Sequence, residues 1–307
     1  MRDAFLKELT RQASEDPSVM LITGDLGFGV LTEFSERFPD QYINAGVAEQ
    51  NMTAMACGMA MEGYRVFTYS IANFTTLRCL EQIRNDVCYH DADVTVVSIG
   101  GGFSYGQLGV SHFATEDLAI LRALPNMMVI APTDPWEAEE LTRQFPEHRH
   151  PKYLRIDKGA AGLPADPSSV SLGKIRRVRE GSDITLVGVG SILAEALAAA
   201  DILAKDGVEC RVLAVHTLKP FDRDEIIAAA RDTKGLISIE EHSVLGGLGG
   251  AIAETCMEAG VATAIFRRIG LQDIYPSVVG DQQFLRTEYK MDSTAIVDVV
   301  RKALNNG

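Results

Sequence analysis

The sequence of 307 residues is 46% hydrophobic and 23% charged, which is typical of a soluble globular protein long enough for two domains. Its formal net charge of −13 argues against general binding to nucleic acids, and no apolar run approaches the roughly 18 residues of a membrane span. The N-terminal stretch has no apolar signal core, and the five scattered cysteines lack CxxC spacing. We therefore expect a cytoplasmic protein with reduced thiols.

Strands and helices are predicted to alternate through the first half of the chain. The predicted strands cover residues 19–23, 41–45, 65–71, 94–99, 127–131 and 153–157. The predicted helices cover residues 2–15, 31–38, 49–61, 74–90, 116–124 and 135–145. Such alternation predicts a mostly parallel, doubly wound sheet.

The second half is predicted to repeat this pattern after a break in composition. Residues 158–182 are rich in Gly, Pro and Ser, which favours a linker or crossover. Strands at 183–190, 208–215, 235–240 and 263–269 then alternate with helices at 192–205, 222–232, 248–259 and 294–304. We therefore predict an α/β fold class with two doubly wound domains, 1–160 and 181–307, joined by a linker at 161–180.

Glu49 begins a helix whose following residues, 51–61, are small or apolar on nearly every side. A helix that is apolar all round is normally buried, and an ionised carboxylate is costly there unless it is paired. The alternative is an exposed first-turn glutamate that the helix dipole favours, and helix statistics alone prefer it.

Two glycine-rich stretches follow predicted strands. The stretch 100–109 is too long for a simple strand–helix turn, and loops of this kind commonly hold ligands. It leads to His112, which is available for proton transfer or is simply a solvated loop histidine. The stretch 246–250 opens a helix and either binds an anion with its free N–H groups or permits close helix–sheet contact.

Several motifs in order resemble the pyrimidine-binding domain of transketolase-like, thiamine diphosphate-dependent enzymes. They are Gly46-Val47-Ala48-Glu49-Gln50, Phe74 with Arg78, Glu81-Gln82-Ile83-Arg84, Gly109-Val110-Ser111-His112 and Val129-Ile130-Ala131-Pro132-Thr133-Asp134. The second half is similar to the C-terminal domain of the same enzymes in Leu218-Lys219-Pro220-Phe221-Asp222 and Glu240-Glu241-His242. The resemblance covers nearly all of residues 1–305.

The resemblance implies a cofactor site for thiamine diphosphate centred on Glu49. In that family the glutamate at this position bonds a ring nitrogen of the aminopyrimidine, because a buried carboxyl can share a proton with the ring. This contact promotes removal of the thiazolium C2 proton, and the resulting carbanion carries the transferred unit. The other implied cofactor-binding residues are Asp25 and Leu26 at the end of the first strand, the stacking residue Phe74, and Ile71, Leu77 and Arg78 around it.

The resemblance also implies substrate contacts. His112 matches a catalytic histidine that contacts the substrate near the reacting carbonyl, and Arg155 and Lys158 lie near a basic residue that binds a substrate phosphate. Where relatives that act on sugar phosphates carry Glu-Asp, this chain has Gln107 and Leu108. A sugar-hydroxyl ligand is therefore missing, which points away from the usual pentose or hexose phosphates.

One family motif is missing from the sequence. Gly-Asp-Gly, followed further on by Asn, holds a divalent metal and the diphosphate in these enzymes, and here the pairs Gly24-Asp25 and Gly280-Asp281 do not continue correctly. We therefore expect no metal ligands in this chain and a separate N-terminal subunit that binds the diphosphate and Mg²⁺. The implied protein is the C-terminal subunit of a split transketolase, inactive alone and active as an α2β2 heterotetramer, that transfers a two-carbon ketol unit between a ketose and an aldose.

Other interpretations share the same motifs. A 2-oxo acid dehydrogenase β subunit has both domains and the Glu49 motif, although the 109–122 stretch is more similar to transketolase. A deoxyxylulose-phosphate-synthase-like enzyme is a third candidate, and such enzymes are normally single chains. A non-catalytic scaffold subunit is the alternative from another class, and the presence of Glu49 and His112 argues against it.

Overall fold

Two mostly parallel sheets organise the chain, which a computed structural model describes over residues 1–305. The last two residues of the predicted second domain, 306–307, lie outside the described residues. The α/β fold class with two such sheets is confirmed. No helix within residues 1–305 is long and apolar enough to cross a membrane.

The first sheet has seven strands in the order β10-β5-β6-β4-β3-β1-β2. Its strands are β1 Val19–Thr23, β2 Tyr42–Asn44, β3 Arg65–Ile71, β4 Val94–Ile99, β5 Met128–Ile130, β6 Lys152–Ile156 and β10 Thr217–Lys219. Six of them run parallel, and β10 pairs antiparallel with β5 at the edge. The central strands are buried along nearly their whole length, because helices cover both faces of the sheet.

The helices of the first half connect these strands. They are α1 Arg2–Glu15, α2 Thr32–Arg37, α3 Glu49–Met61, α4 Ala72–Thr75, α5 Leu80–Gln82 with a π-helical continuation over Ile83–Cys88, α6 Asp117–Arg122 and α7 Pro135–Gln144. The carboxyl ends of the parallel strands therefore meet at one edge, and this edge carries the loops that begin at Gly24, Gly100 and Asp157.

The second sheet has five strands in the order β12-β11-β8-β9-β7. Its strands are β7 Arg176–Arg179, β8 Ile184–Val189, β9 Cys210–Val215, β11 Gly235–Ser243 and β12 Ile265–Leu271. Its helices are α8 Leu193–Lys205, α9 Arg223–Asp232, α10 Leu248–Glu258, α11 Gln282–Glu288 and α12 Ser293–Asn305. Only β7 runs antiparallel, at the edge next to β9.

One apolar cluster joins the two sheets. Leu118 and Val129 of the first half and Val189 and Leu213 of the second half belong to the same group of buried side chains. Leu218 of β10 lies in this group and is 1% exposed. The two halves therefore share a core as well as a strand.

The structure differs from the predicted elements in four places. The predicted helix 74–90 is wrong, because the chain leaves the helix after Thr75 and turns before α5. The hydroxyl of Thr76 donates to the carbonyl oxygen of Ala72 at 2.6 Å, and such side-chain bonds compete with helical backbone pairing. Strand β7 lies inside the predicted linker 161–180, and β10 and α11 were not predicted.

Candidate active site

Glu49 lies at the first position of α3, at the carboxyl end of the first sheet. Its side chain is 3% exposed, and Oε2 accepts a hydrogen bond from Arg78 Nη1 at 2.9 Å. A Cβ added to Gly24 would lie 3.2 Å from Glu49 Cγ, so the turn after β1 packs directly on this side chain. Glu49 is therefore a buried, paired carboxylate, and the exposed alternative is wrong.

Arg78, Phe74 and His112 extend this pair into a continuous row of contacts. The guanidinium carbon of Arg78 lies 4.6 Å from the centre of the Phe74 ring, and the rings of Phe74 and His112 are 5.2 Å apart in an edge-to-face arrangement. His112 Nδ1 lies 3.0 Å from Ser111 Oγ, and Asn73 Nδ2 donates to the carbonyl oxygen of Ser111 at 2.6 Å. The structure thus links the two predicted catalytic residues, Glu49 of α3 and His112 of the loop after β4, through Arg78 and Phe74.

The turn after β1, whose Gly24 packs on Glu49, continues with Asp25 and Leu26. Asp25 has φ +57°, a left-handed conformation that is uncommon for residues with a Cβ. Its amide donates to Asn44 Oδ1 at 3.1 Å, and Asn44 Nδ2 donates back to Asp25 Oδ1 at 3.0 Å. These reciprocal bonds fix the turn, in which Asp25 is exposed and Leu26 is partly buried.

Ile71 and Leu77 flank Phe74 along the chain. Ile71 is partly buried at the end of β3, and Leu77 is 42% exposed in the turn between α4 and α5. Both therefore lie where the predicted cofactor-binding segment reaches the surface of the chain.

Helix α3 is buried on one side only. Met52, Ala56 and Cys57 face the core, whereas Met61 at its end is 64% exposed and Val47 before it is 74% exposed. The prediction of a helix buried all round is therefore wrong for the single chain. The outer face of α3 exposes the polar Gln50 and Asn51 next to Glu49 and the small or apolar Ala54, Gly58 and Met61 further along the helix.

Gln107 and Lys158 line one cleft at the same edge of the sheet. The cleft has a volume of about 310 Å³ and also contains Tyr105, Asp281 and Gln282. The ammonium nitrogen of Lys158 lies 3.7 Å from the centre of the Tyr105 ring, and that ring is 6.5 Å from the His112 ring. Partial burial, helped by the charge of Arg2, lowers the pKa of Lys158.

Arg155 does not fit its predicted contact with a substrate phosphate. Its side chain is 1% exposed, and Nε lies 3.2 Å from Asp117 Oδ2. Nη2 donates to the carbonyl oxygens of Ala114 at 3.2 Å and Glu241 at 2.9 Å. The guanidinium is therefore enclosed between the two sheets, where a substrate does not reach it.

The glycine-rich stretch 246–250 is occupied by the chain itself. The amides of Leu248 and Gly249, at the start of α10, donate to the two carboxylate oxygens of Glu240 at 2.7 and 2.9 Å. Burial raises the pKa of Glu240. This carboxylate takes the place of an external anion, so the anion-binding interpretation is wrong.

Sequence reasoning missed Arg2 and Tyr105. Both line a cleft of about 260 Å³ together with Lys158 and Asp157. Tyr105 could have been singled out, because it lies within the glycine-rich stretch 100–109, but no signal in the sequence connects Arg2 with residues so far along the chain.

The residues around Glu49 fit the aminopyrimidine of thiamine diphosphate. Glu49 Oε2 accepts a hydrogen bond from Arg78, and within residues 1–305 no side chain donates to Oε1. Oε1 is therefore left as an acceptor for a ring N–H. The partly exposed ring of Phe74 supplies a flat apolar surface beside it. The same residues 1–305 contain no group of three or more His, Cys, Asp or Glu side chains that could hold a metal ion.

Two family models match the chain in sequence. Residues 1–163 match the pyrimidine-binding domain of transketolase, and residues 173–296 match the transketolase C-terminal domain. The chain therefore belongs to the transketolase family.

The relatives include proteins named as transketolase subunits. The chain is 32% identical to an apulose-4-phosphate transketolase subunit of Phocaeicola vulgatus, over 96% of this chain and 94% of the relative. It is 33% identical to the 6-deoxy-6-sulfo-D-fructose transketolase subunit SqwH of Clostridium sp. (strain MSTE9), over 97% and 92%. Its fold matches a solved split-gene transketolase in an inactive β4 tetramer, with a TM-score of 0.89, 33% identity and coverage of 99% and 98%.

Proposed function

We propose that this chain supplies the pyrimidine-binding half of the active site of a split transketolase, which transfers a two-carbon ketol unit from a ketose to an aldose. The observation that carries the proposal is the buried Glu49 carboxylate, paired on one oxygen with Arg78 and adjoining Phe74 and His112. Thiamine diphosphate, when bound, supplies the nucleophilic carbon that takes up and passes on the two-carbon unit.

Each residue of the row has a separate task in this proposal. Glu49 binds a ring nitrogen of the pyrimidine through Oε1 and holds the proton there, while Arg78 holds Oε2 in place. Phe74 stacks on the pyrimidine, and Asp25, Leu26, Ile71 and Leu77 enclose it. His112 hydrogen-bonds a substrate oxygen near the reacting carbonyl and moves a proton to or from it.

The substrate in this proposal is a sugar with an anionic end. Lys158 and Gln107 line one cleft, and a lysine ammonium is a suitable point charge for a phosphate or sulfonate. The names of the two relatives above contain a phosphate and a sulfonate, which supports this substrate class.

A separate N-terminal subunit completes the proposed enzyme. It holds Mg²⁺ and the diphosphate, and the two kinds of chain form an α2β2 heterotetramer. The subunit names of the relatives support a divided enzyme, and the exposed small or apolar residues Ala54, Gly58 and Met61 of α3 offer a surface for assembly. We also propose a division into domains at 1–160 and 181–307 and a cytoplasmic location. The location rests on the five free cysteines, which are typical of a reducing compartment.

Coexpression with a diphosphate-binding subunit tests the function. We expect the complex to transfer a two-carbon unit between sugars and the purified chain alone to be inactive. Glu49→Gln should lower kcat of the complex by about 10²- to 10⁴-fold, because the proton-holding group is lost. Glu62→Gln, at the exposed end of the same helix, is the matched control and should keep wild-type turnover.

Three outcomes would contradict the proposal. Ketol transfer by the chain alone would remove the need for a partner. Unchanged turnover in Glu49→Gln would favour a scaffold subunit. Decarboxylation of a 2-oxo acid without sugar-to-sugar transfer would favour a 2-oxo acid dehydrogenase or a deoxyxylulose-phosphate-synthase-like enzyme.

A further inference from the structure

Glu241 is a buried carboxylate of the second sheet that contacts a loop of the first. It lies near the end of β11 and is 2% exposed. Its Oε1 accepts hydrogen bonds from the Phe103 amide at 2.6 Å and from Gln282 Nε2 at 2.8 Å, and its Oε2 accepts one from Arg286 Nε. Both carboxylate oxygens are therefore satisfied inside the protein, and Glu241 is available to no ligand.

The loop that Glu241 contacts runs from residue 102 to residue 114 and includes Tyr105, Gln107 and His112. Its two ends are joined, since the Gly102 amide donates to the Ala114 carbonyl at 2.9 Å and the Ala114 amide donates back at 3.0 Å. The bond from Phe103 to Glu241 comes directly after this closure. The loop is thus fastened at its base, and its outer part carries the proposed substrate contacts.

The base of the loop is shaped for this close approach. Gly102 has φ +57°, and a Cβ there would lie 2.7 Å from Glu241 Cγ. Arg155 Nη2 donates to the Ala114 and Glu241 carbonyl oxygens at 3.2 and 2.9 Å, which ties the closing end of the loop to β11. The outer part has a second contact, from the Gly280 amide to the Gly106 carbonyl at 3.3 Å.

Arg286 holds the carboxylate of Glu241 from the far side. Besides its bond to Glu241, it donates from Nη2 to Ser191 Oγ at 3.1 Å, and its Nη1 lies 3.8 Å from Glu195 Oε1. Charge-assisted bonds of this kind are stronger and more directional than neutral ones. The position of Glu241, and with it that of Phe103, is therefore set by the second domain.

We propose that Glu241, oriented by Arg286, is a positioning residue that fixes the 102–114 loop so that Gln107 and His112 face the sugar. The inference rests on the proposed function, because it assigns a purpose to that loop. It also assigns a task to the second domain, namely to hold the substrate-binding side of the site while the Glu49 side is built by the first domain alone.

Hydrogen exchange on the full chain tests the anchoring without any activity. In Glu241→Gln, one acceptor oxygen is replaced by a donor NH₂ group of the same shape. Exchange in segment 103–112 should therefore become faster, while exchange in β4 stays at the wild-type rate. Glu195→Gln, which removes the other buried carboxylate near Arg286, is the matched control and should leave exchange in the loop unchanged.

Kinetics of the assembled complex test the consequence. A loop displaced by about 1 Å can cost up to about 100-fold, so in Glu241→Gln we expect a raised KM for the sugar and a lowered kcat/KM of that order. Half-saturation by thiamine diphosphate should not change. Arg286→Lys, which keeps the charge and loses the directed bonds, should show a smaller effect in the same direction if Glu241→Gln folds poorly.

Three results would overturn the inference. They are wild-type exchange across segment 103–112 in folded Glu241→Gln, a faster-exchanging loop with an unchanged sugar KM, and equal kinetic changes in Glu241→Gln and Glu195→Gln. A wild-type complex without ketol transfer would instead refute the proposed function, and the exchange experiment would still decide whether Glu241 anchors the loop.

Discussion

The ion pair between Glu49 and Arg78 joins a buried group to a half-exposed one. Glu49 is 3% exposed, whereas the Arg78 side chain is 47% exposed and rests against Phe74. Taking a carboxylate out of water without a partner costs several kcal/mol, and the half-exposed guanidinium of Arg78 offsets that cost. This arrangement keeps one carboxylate oxygen bonded and the other open toward the site.

Removing the guanidinium should destabilise the chain. In Arg78→Ala the Glu49 carboxylate keeps its burial and loses its only charged partner within residues 1–305, so the free energy of unfolding should fall by about 1–2 kcal/mol. Urea titration of the isolated chain measures this. Arg84→Ala removes an exposed arginine from the following segment and should change stability by less than about 0.5 kcal/mol. Equal stability of the two variants would show that Arg78 does not compensate Glu49.

The sequence predicts the positions of some side chains in the candidate site well and the position of one, Arg155, poorly. Glu49 and His112 are embedded in ordered motifs, so their proximity could be predicted. Arg155 and Lys158 are three residues apart and looked equivalent, but Arg155 lies within β6 and faces the second domain, whereas Lys158 follows the strand. Which basic residue reaches the cleft depends on the packing of two domains, and no local pattern encodes it.

Among the elements, the loop after β4 has very tight backbone packing. A Cβ on Gly101 would overlap Arg155 Nε and lie 2.5 Å from Asp157 Oδ1. Both neighbours are buried, so neither can move aside cheaply.

Gly101→Ala should therefore be strongly destabilising. We expect a loss of about 1–3 kcal/mol from overpacking alone, read as a lower midpoint of thermal unfolding. Gly58→Ala is the matched control, because it lies on the exposed side of α3 with no atom within 4 Å of an added Cβ. That substitution should raise stability by about 0.5–1 kcal/mol through better helix propensity. A Gly101→Ala protein as stable as the wild type would contradict the packing described for this loop.

The existence of most elements could be predicted because apolar periodicity determines them. The prediction of a helix at 74–90 was wrong for a local reason. Leu80, Ile83 and Val87 have helical spacing, but the Thr75 and Thr76 hydroxyls bond the Ala72 carbonyl oxygen and interrupt the helix before them. Strands β7 and β10 were missed for another reason. They are edge strands of four and three residues, and their partners, not their own sequences, make them strands.

The junction between the two sheets contains a buried histidine. His216 is 0% exposed, its Nδ1 lies 2.9 Å from Thr217 Oγ1, and its Nε2 has no hydrogen-bond partner within residues 1–305. Glu137 of α7 and Arg176 of β7 are the charged groups nearby. Burial lowers the pKa of His216, so this histidine is neutral in the folded protein near neutral pH.

Acid should therefore weaken the whole molecule through His216. In the unfolded chain the imidazole takes up a proton near pH 6.5, whereas the folded chain resists it to lower pH. The stability that the neutral His216 contributes to the folded protein is fully present above pH 6.5. As the pH falls from there toward the lowered pKa, the free energy of unfolding decreases by at most about 1.4 kcal/mol per pH unit. Urea titrations between about pH 7.5 and 5.5 give the free energy of unfolding as a function of pH. Its decrease with falling pH should be smaller in His216→Gln than in the wild type, whereas His90→Gln, at an exposed position, should keep the wild-type pH dependence. An identical pH dependence in all three proteins would contradict this.

Strand β10 affects how the chain folds during its synthesis as well as the stability of the folded protein. The first sheet gains its seventh strand only when residues 217–219 arrive, after β7, β8 and β9 have been synthesised. At about 5–20 residues per second, the edge of β5 stays unpaired on the ribosome for on the order of ten seconds. An open strand edge is a template for pairing with other nascent chains. Folding of this subunit during translation should therefore depend on how quickly the second domain follows the first.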